Sequence, residues 1–219
     1  MTTTSISEQV GDFNAGFTAQ IGPDLSAVFD REQQDLLSTG VPVGAVAVGD
    51  IVPDARLVGL DGQIVNLLSV TAGRPAVLVF YRGAWCPYCN ITLRTYERDL
   101  RPELDRLGVA LVAISPQTPD KSTAAVQGGD LNFPVLSDPS NAFVRALGIV
   151  TEPSAAARVA HTELGFDVAD SNADSTAGIP FPTVIIIDAN RIVRFADVHV
   201  DYTTRTEVPA ILKALAFVS

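Results

Sequence analysis

Ala76-Val77-Leu78-Val79-Phe80-Tyr81-Arg82-Gly83-Ala84-Trp85-Cys86-Pro87-Tyr88-Cys89 is the stretch that decides the fold. Its first six residues are a continuous apolar run, the pattern of a strand buried on both faces of a parallel sheet. Beyond it, Leu93, Tyr96, Leu100, Leu104 and Leu107 recur at helical spacing. The chain's two cysteines therefore fall where a central strand gives way to a helix. Open α/β sheets keep their chemistry at the carboxyl ends of their strands.

A helix N-terminus presents unsatisfied N–H groups and a partial positive charge, and both stabilise a thiolate. Cys86, at the helix start, is expected to be the more exposed thiol and the low-pKa nucleophile of disulfide exchange. Cys89, one turn further in, is expected to resolve a mixed disulfide formed at Cys86. Pro87 suits the first helical turn, where its missing N–H costs nothing. A structural zinc site would need four ligands, and the two histidines, His161 and His199, lie far along the chain. A static disulfide would close a loop too short to add much stability. Inert buried thiols are the third alternative. A Cys-x-x-Cys beside a strand–helix unit reads first as a thioredoxin-like redox motif.

Composition agrees with a folded enzyme. At 219 residues and 47% apolar content the chain can bury a sizeable core. A formal net charge of −10 argues against nucleic acid and anionic membranes as partners. The opening Met1-Thr2-Thr3-Thr4-Ser5 lacks a basic n-region and no stretch approaches a membrane span, so a cytoplasmic location is expected.

Two regions are expected. Residues 1–45 read as helical: Phe13, Phe17 and Ile21 recur every four residues, and the pattern restarts after Gly22-Pro23. Gly40-Val41-Pro42-Val43-Gly44 reads as a linker. In the second region, Asp61-Gly62 marks a hairpin. Strands are expected at 76–81 and 109–115, the stretch 133–138 carries no expected element, and a hairpin joins 183–188 to 192–196. Helices are expected from Cys86, near 119–127, at 141–147 and over 204–217, with an interruption at Pro102. The segment 151–180 is a long insertion, either a flap near the cysteines or plain surface loop.

Residues 46–217 resemble the alkyl hydroperoxide reductase/thiol-specific antioxidant family, peroxiredoxin-like proteins on a thioredoxin fold. The resemblance is carried by Val48-Gly49-Asp50-Ile51-Val52-Pro53-Asp54, by residues 80–89, by Ala113-Ile114-Ser115-Pro116-Gln117, by Phe133-Pro134-Val135-Leu136-Ser137-Asp138 and by Phe181-Pro182-Thr183-Val184 with the strand that follows. Residues 1–45 are similar to a helical extension in one branch of the family. The resemblance implies an α/β thioredoxin-like three-layer sandwich over 46–219, preceded by a helical N-terminal extension. It implies reduction of hydroperoxides with electrons from thioredoxin- or glutathione-type donors and without cofactor or metal; a homodimer is compatible with it. The alternatives are a protein disulfide reductase, since Cys-Pro-Tyr-Cys is also similar to glutaredoxins, and a redox-responsive binding protein.

The departures from the family pattern matter. The family's Pro-x-x-x-Thr-x-x-Cys reads here as Arg82-x-x-x-Cys86-x-x-Cys89, which in that register puts Cys89 in the place of the cysteine that meets peroxide. The family's second arginine is missing from Ile179-Pro180-Phe181-Pro182, before the strand at Thr183. Arg82 is the expected replacement; its alternative is a solvated loop arginine. Trp85 either shields the pair or packs in the core. Pro182-Thr183 is similar to the cis-proline and threonine of thioredoxin, which predicts a cis Phe181–Pro182 bond against the cysteines; the alternative is a plain strand start. Tyr88 and Asn90 read as surface determinants of partner contact, His161 as without a visible partner, and Asp201-Tyr202-Thr203-Thr204-Arg205 first as a helix N-cap, with a functional role as the alternative.

Overall fold

The computed structural model describes residues 4–216; residues 1–3 and 217, inside two of the expected helical spans, lie outside it. The first helix, α1 (Ile6–Thr39), begins with a capping box in which Ser5 Oγ accepts from Glu8 N–H and the Glu8 carboxylate accepts from Ser5 N–H. It breaks where the sequence predicts, at Gly22, whose φ of 80° lies outside helical space just before Pro23.

A hairpin, β1 (Arg56–Val58) and β2 (Ile64–Asn66), turns at Asp61-Gly62. The short helix α2 (Leu67–Thr71) leads to β3 (Ala76–Phe80). The cysteine helix α3 (Pro87–Thr95) runs through a π-helical turn at residues 96–100 into α4 (Arg101–Leu107). The π turn is how the helix tolerates Pro102, which has no N–H to offer: Arg101 N–H bonds back to Tyr96 C=O, five residues earlier. There follow β4 (Ala110–Ser115), α5 (Pro119–Gly129), β5 (Val135–Ser137) and α6 (Ala142–Ala146). The expected insertion is ordered. It holds β6 (Val150–Thr151), α7 (Ala155–Glu163), α8 (Val168–Ser171) and β7 (Ile179–Pro180), with β6 and β7 paired. The chain ends on β8 (Thr183–Ile187), β9 (Val193–Val198) and α9 (Val208–Leu215).

One sheet carries the order β2-β1-β5-β4-β3-β8-β9, with β3, β4 and β5 parallel and β8 and β9 antiparallel. Strand alternation divides the interior in two. Val77, Val79, Leu111, Ala113, Val184 and Ile186 face a core closed by α3, α4, α9 and the start of α1. Ala76, Leu78, Phe80, Val112, Ile114 and Ile185 face the other, under α2 and α6. This is the three-layer α/β sandwich that the resemblance implies. The start of α1 is bound to the body: Ile6 and Val10 are buried in the first core, and the Glu207 carboxylate accepts from the backbone N–H groups of Ile6 and Ser7. No described helix is long and apolar enough to cross a membrane.

The register sets the site. Phe80, the last residue of β3, pairs with Thr183, and Thr183 pairs with Val198, the last residue of β9. The loop after β9 therefore emerges beside the loop that leads into the cysteine helix.

Candidate active site

Cys86 is the N-cap of α3 and Cys89 lies in its first turn. Both are free thiols and both are buried, with Cys86 the more exposed by only 1% against 0%. The loop before them is pinned at two points. Gln117 Oε1 accepts from Ala84 N–H at 2.6 Å, and Asn90 Nδ2 donates to Ala84 C=O at 2.7 Å. Gly83 makes this possible, since a Cβ there would meet Trp85 Nε1 at 2.5 Å and Gln117 Cδ at 2.9 Å. Asn90 thus holds the loop, and Tyr88 donates to Asn14 Oδ1 on α1 at 2.8 Å; neither is a free surface determinant.

The cation in hydrogen-bond contact with the thiols is Arg205, from the stretch that the sequence reads first as a helix N-cap. Arg205 Nη2 donates to Cys89 Sγ at 3.1 Å and lies 3.9 Å from Cys86 Sγ. Its Nη1 donates to the carbonyls of Tyr202 and Thr204, each at 2.6 Å, so the guanidinium is fixed. The loop that carries it is braced by His199, whose ring nitrogens meet Thr204 Oγ1 at 2.7 Å, Asp197 Oδ2 at 3.1 Å and Thr206 Oγ1 at 3.2 Å. Residues 201–205 are therefore not a helix cap; Glu207 holds that position for α9.

The Arg82 side chain acts on the two thiols through its charge alone, without a hydrogen bond to either sulfur. Its guanidinium is stacked between Trp85 and Tyr202, with Cζ 4.9 Å and 4.4 Å from the two ring centroids, and it donates no hydrogen bond to a described residue. The β8–β9 register thus brings the Arg205 guanidinium, and not that of Arg82, within hydrogen-bond distance of the Cys89 sulfur.

This arrangement separates the two thiols. Burial pushes the Cys86 thiol up, and its hydrogen bond to Cys89 holds the proton on it. Burial also opposes ionisation of Cys89, but the Cys86 S–H, the Arg205 guanidinium and the Arg82 backbone N–H outweigh it and hold Cys89 well below the ordinary thiol range. The low-pKa thiol is thus Cys89, the reverse of the assignment drawn from the helix-start position. The physical reason is that Arg205 sits closer to Cys89 than to Cys86.

The remaining expected residues are accounted for. Pro182 and Thr183 line a water-sized void with Cys89 and Arg205, so the sequence correctly brings that loop to the pair. The Phe181–Pro182 bond, however, is trans: no cis peptide bond occurs among the described residues. Pro182 simply precedes β8, and Thr183 Oγ1 donates back to Phe181 C=O. Trp85 lines a cavity together with Cys86. It stacks on Phe166 from the insertion, with centroids 5.2 Å apart, and lies 5.6 Å from His161. The insertion is thus a wall of the site. With α1 it encloses a cavity of about 400 Å³ above Cys86, lined by Phe17, Phe29, Trp85, Tyr88, Phe166 and Tyr202 among others.

Residues 48–196 match the AhpC/TSA family. A peroxiredoxin Bcp of Escherichia coli is 33% identical over 106 residues, which are 48% of this chain and 67% of that protein. A protein of Haemophilus influenzae described as a putative peroxiredoxin is 33% identical over 104 residues, 48% of this chain and 66% of the relative. The alignments thus span about two thirds of these relatives. Among solved structures, Mycobacterium tuberculosis peroxidoxin BcpB superposes with a TM-score of 0.60 at 22% identity, covering 80% of this chain and 99% of that one. Reduced Prx3 of Vibrio vulnificus in complex with hydrogen peroxide superposes at 0.62 and 22% identity, covering 78% and 99%. These superpositions establish the fold.

Proposed function

This chain belongs to the AhpC/TSA family, and on that premise we propose that it reduces hydroperoxides with Cys89 as the attacking thiolate and Cys86 as the resolving thiol. It is a thiol-based oxidoreductase of the peroxiredoxin kind. The observation that carries the assignment is the Arg205–Cys89 contact at 3.1 Å, which places a fixed cation on the sulfur that must ionise. Attack of the Cys89 thiolate on the terminal peroxide oxygen breaks the O–O bond, and the leaving alkoxide or hydroxide takes up a proton. Arg205, held by two backbone carbonyls, is positioned to donate to the oxygens as charge develops on them. Cys89 becomes a sulfenic acid. Cys86, within one helical turn of Cys89 and near the same Arg205 nitrogen, condenses with it to a disulfide and releases water. A thiol reductant then restores the pair. Residues 1–45 act in this reading as an extension that walls the site, through Asn14 against Tyr88 and Phe29 against His161.

The test is the reaction of the reduced protein with hydrogen peroxide in stopped flow, read from Trp85. Cys89→Ser should abolish it. Cys86→Ser should leave a sulfenic acid on Cys89 that dimedone traps and mass spectrometry locates. Peroxide consumption no faster than that of free cysteine would sink the proposal and favour a disulfide reductase. A dimedone adduct on Cys86 in the Cys89→Ser protein would reverse the two roles.

A further inference from the structure

The sulfurs of a Cys86–Cys89 disulfide are not equivalent. Cys86 lines the cavity of about 400 Å³. Cys89 does not reach that cavity; it lines the water-sized void around Arg205. Thiol–disulfide exchange favours attack on the sulfur whose partner leaves as the more stable thiolate. Cys89, beside Arg205, is that leaving group, so a reductant must attack Cys86, and the cavity is the way to it.

The shape restricts what can arrive. Cys86 is 1% exposed and lies beneath walls supplied by α1 and α7. A folded protein donor presents its cysteine on a broad surface that needs several hundred Å² of contact, whereas Cys86 is buried among the residues that line this cavity. A cavity of this volume matches a small organic molecule.

The wall also carries unused polar groups. Arg82 is 5% exposed, lines the cavity, and its guanidinium bonds to no described residue. His161 is equally buried in the same wall, and its Nδ1 has no partner. The carboxylate of Glu32 shares a water-sized void with Arg82 but forms no ion pair with it; one of its oxygens accepts from Ser154 N–H instead. A buried guanidinium left without an anion is costly, and a carboxylate satisfies its planar fork in two bonds. Asp30, also in the lining, suits an ammonium group.

We propose that the cavity above Cys86 binds the reductant, a low-molecular-weight thiol carrying a carboxylate that pairs with Arg82. The inference rests on the reading of Cys86 and Cys89 as the redox pair. The incoming thiolate forms a bond to Cys86 Sγ, and the Cys86–Cys89 bond breaks with its electron pair leaving on Cys89. A second thiolate attacks the outer sulfur of the mixed disulfide, which releases the small disulfide and a Cys86 thiolate that takes a proton. Two thiols are oxidised and one protein disulfide is reduced.

The test closes the disulfide with diamide, so that no peroxide reaction is needed, and follows its reduction in stopped flow. The probes are 3-mercaptopropionate, glutathione, 2-mercaptoethanol and cysteamine, with rates expressed per thiolate. The two carboxylated thiols should saturate and should exceed the uncharged 2-mercaptoethanol by about fivefold or more. In Arg82→Met that ratio should fall towards one. A wild-type ratio below about fivefold, which needs no variant to fold, overturns the proposal. So does faster reduction by micromolar thioredoxin than by any of these thiols at millimolar concentration. Selective reduction by carboxylated thiols in a protein that fails to consume peroxide would uphold this site and sink the peroxidase reading.

Discussion

Arg205 Nη2 lies 3.1 Å from Cys89 Sγ, although 116 residues separate them in the chain. That contact decides which thiol ionises, and the first prediction follows from it. Arg205→Met should lower the second-order rate with hydrogen peroxide by about 10²–10³-fold, the usual worth of one preorganised donor. Arg82→Met, which removes a stacked side chain and no hydrogen bond to sulfur, should lower it by much less. Stopped-flow rates on the two variants check the order. A larger loss in Arg82→Met would return the role of missing arginine to residue 82.

The pH profile of peroxide reduction should reflect a thiolate formed well below the ordinary thiol range. The rate should be nearly flat from neutral pH upward rather than rising through about pH 8.5, where an unperturbed cysteine titrates. In Arg205→Met the profile should regain that rise. A wild-type rate that climbs tenfold between pH 7 and 9 would show that Cys89 is protonated at neutral pH.

His199 should act on catalysis through Arg205, since its ring braces Thr204 and Thr206 on either side of that residue. His199→Ala is expected to slow peroxide reduction by about tenfold and to move the Cys89 titration upward, with a smaller effect on thermal stability. A loss of stability without a shift in the titration would reduce His199 to a packing residue.

His161 links acidity to stability. Burial among Trp85, Phe29 and Phe166, with Arg82 nearby, lowers its pKa from 6.5 to about 4. The unfolded chain protonates this residue first as pH falls, so it binds more protons than the folded state between those two values. Folding stability should therefore decline from about pH 6.5 towards pH 4, by up to about 3 kcal/mol from this residue alone. Urea unfolding of wild type and His161→Phe at pH 7 and pH 4.5 measures the difference. Equal pH dependence in the two proteins would remove His161 as the cause.

Glu207 joins the two ends of the chain, accepting from Ile6 N–H at 3.1 Å and Ser7 N–H at 2.8 Å. Glu207→Ala should cost about 1–2 kcal/mol, since the helix start loses its carboxylate and its N–H partners. Amide exchange at residues 6–10 should quicken more than exchange in β3. Unchanged exchange there would mean that Ile6 and Val10 hold the helix by packing alone.

Much of this protein was written locally. The run Ala76–Phe80, the Asp61-Gly62 turn, the Gly22-Pro23 break and the apolar run at residues 183–187 each depend on neighbours a few positions away, so the sequence determined these strands, the helix breaks and the place of the cysteines. The placement of Pro182-Thr183 beside the pair was also legible, because it follows from the strand pattern, although the bond itself is trans. Arg205 was not. The only signal for it was the polar stretch after β9, which reads equally well as a cap. Its position depends on the pairing of Phe80 with Thr183 and of Thr183 with Val198, a register set by packing on both faces of the sheet and invisible to local pattern. The order of the two thiol pKa values went with it. A helix start favours Cys86 by position, but a guanidinium at hydrogen-bond distance from Cys89 is the stronger field, and only the tertiary structure brings it there.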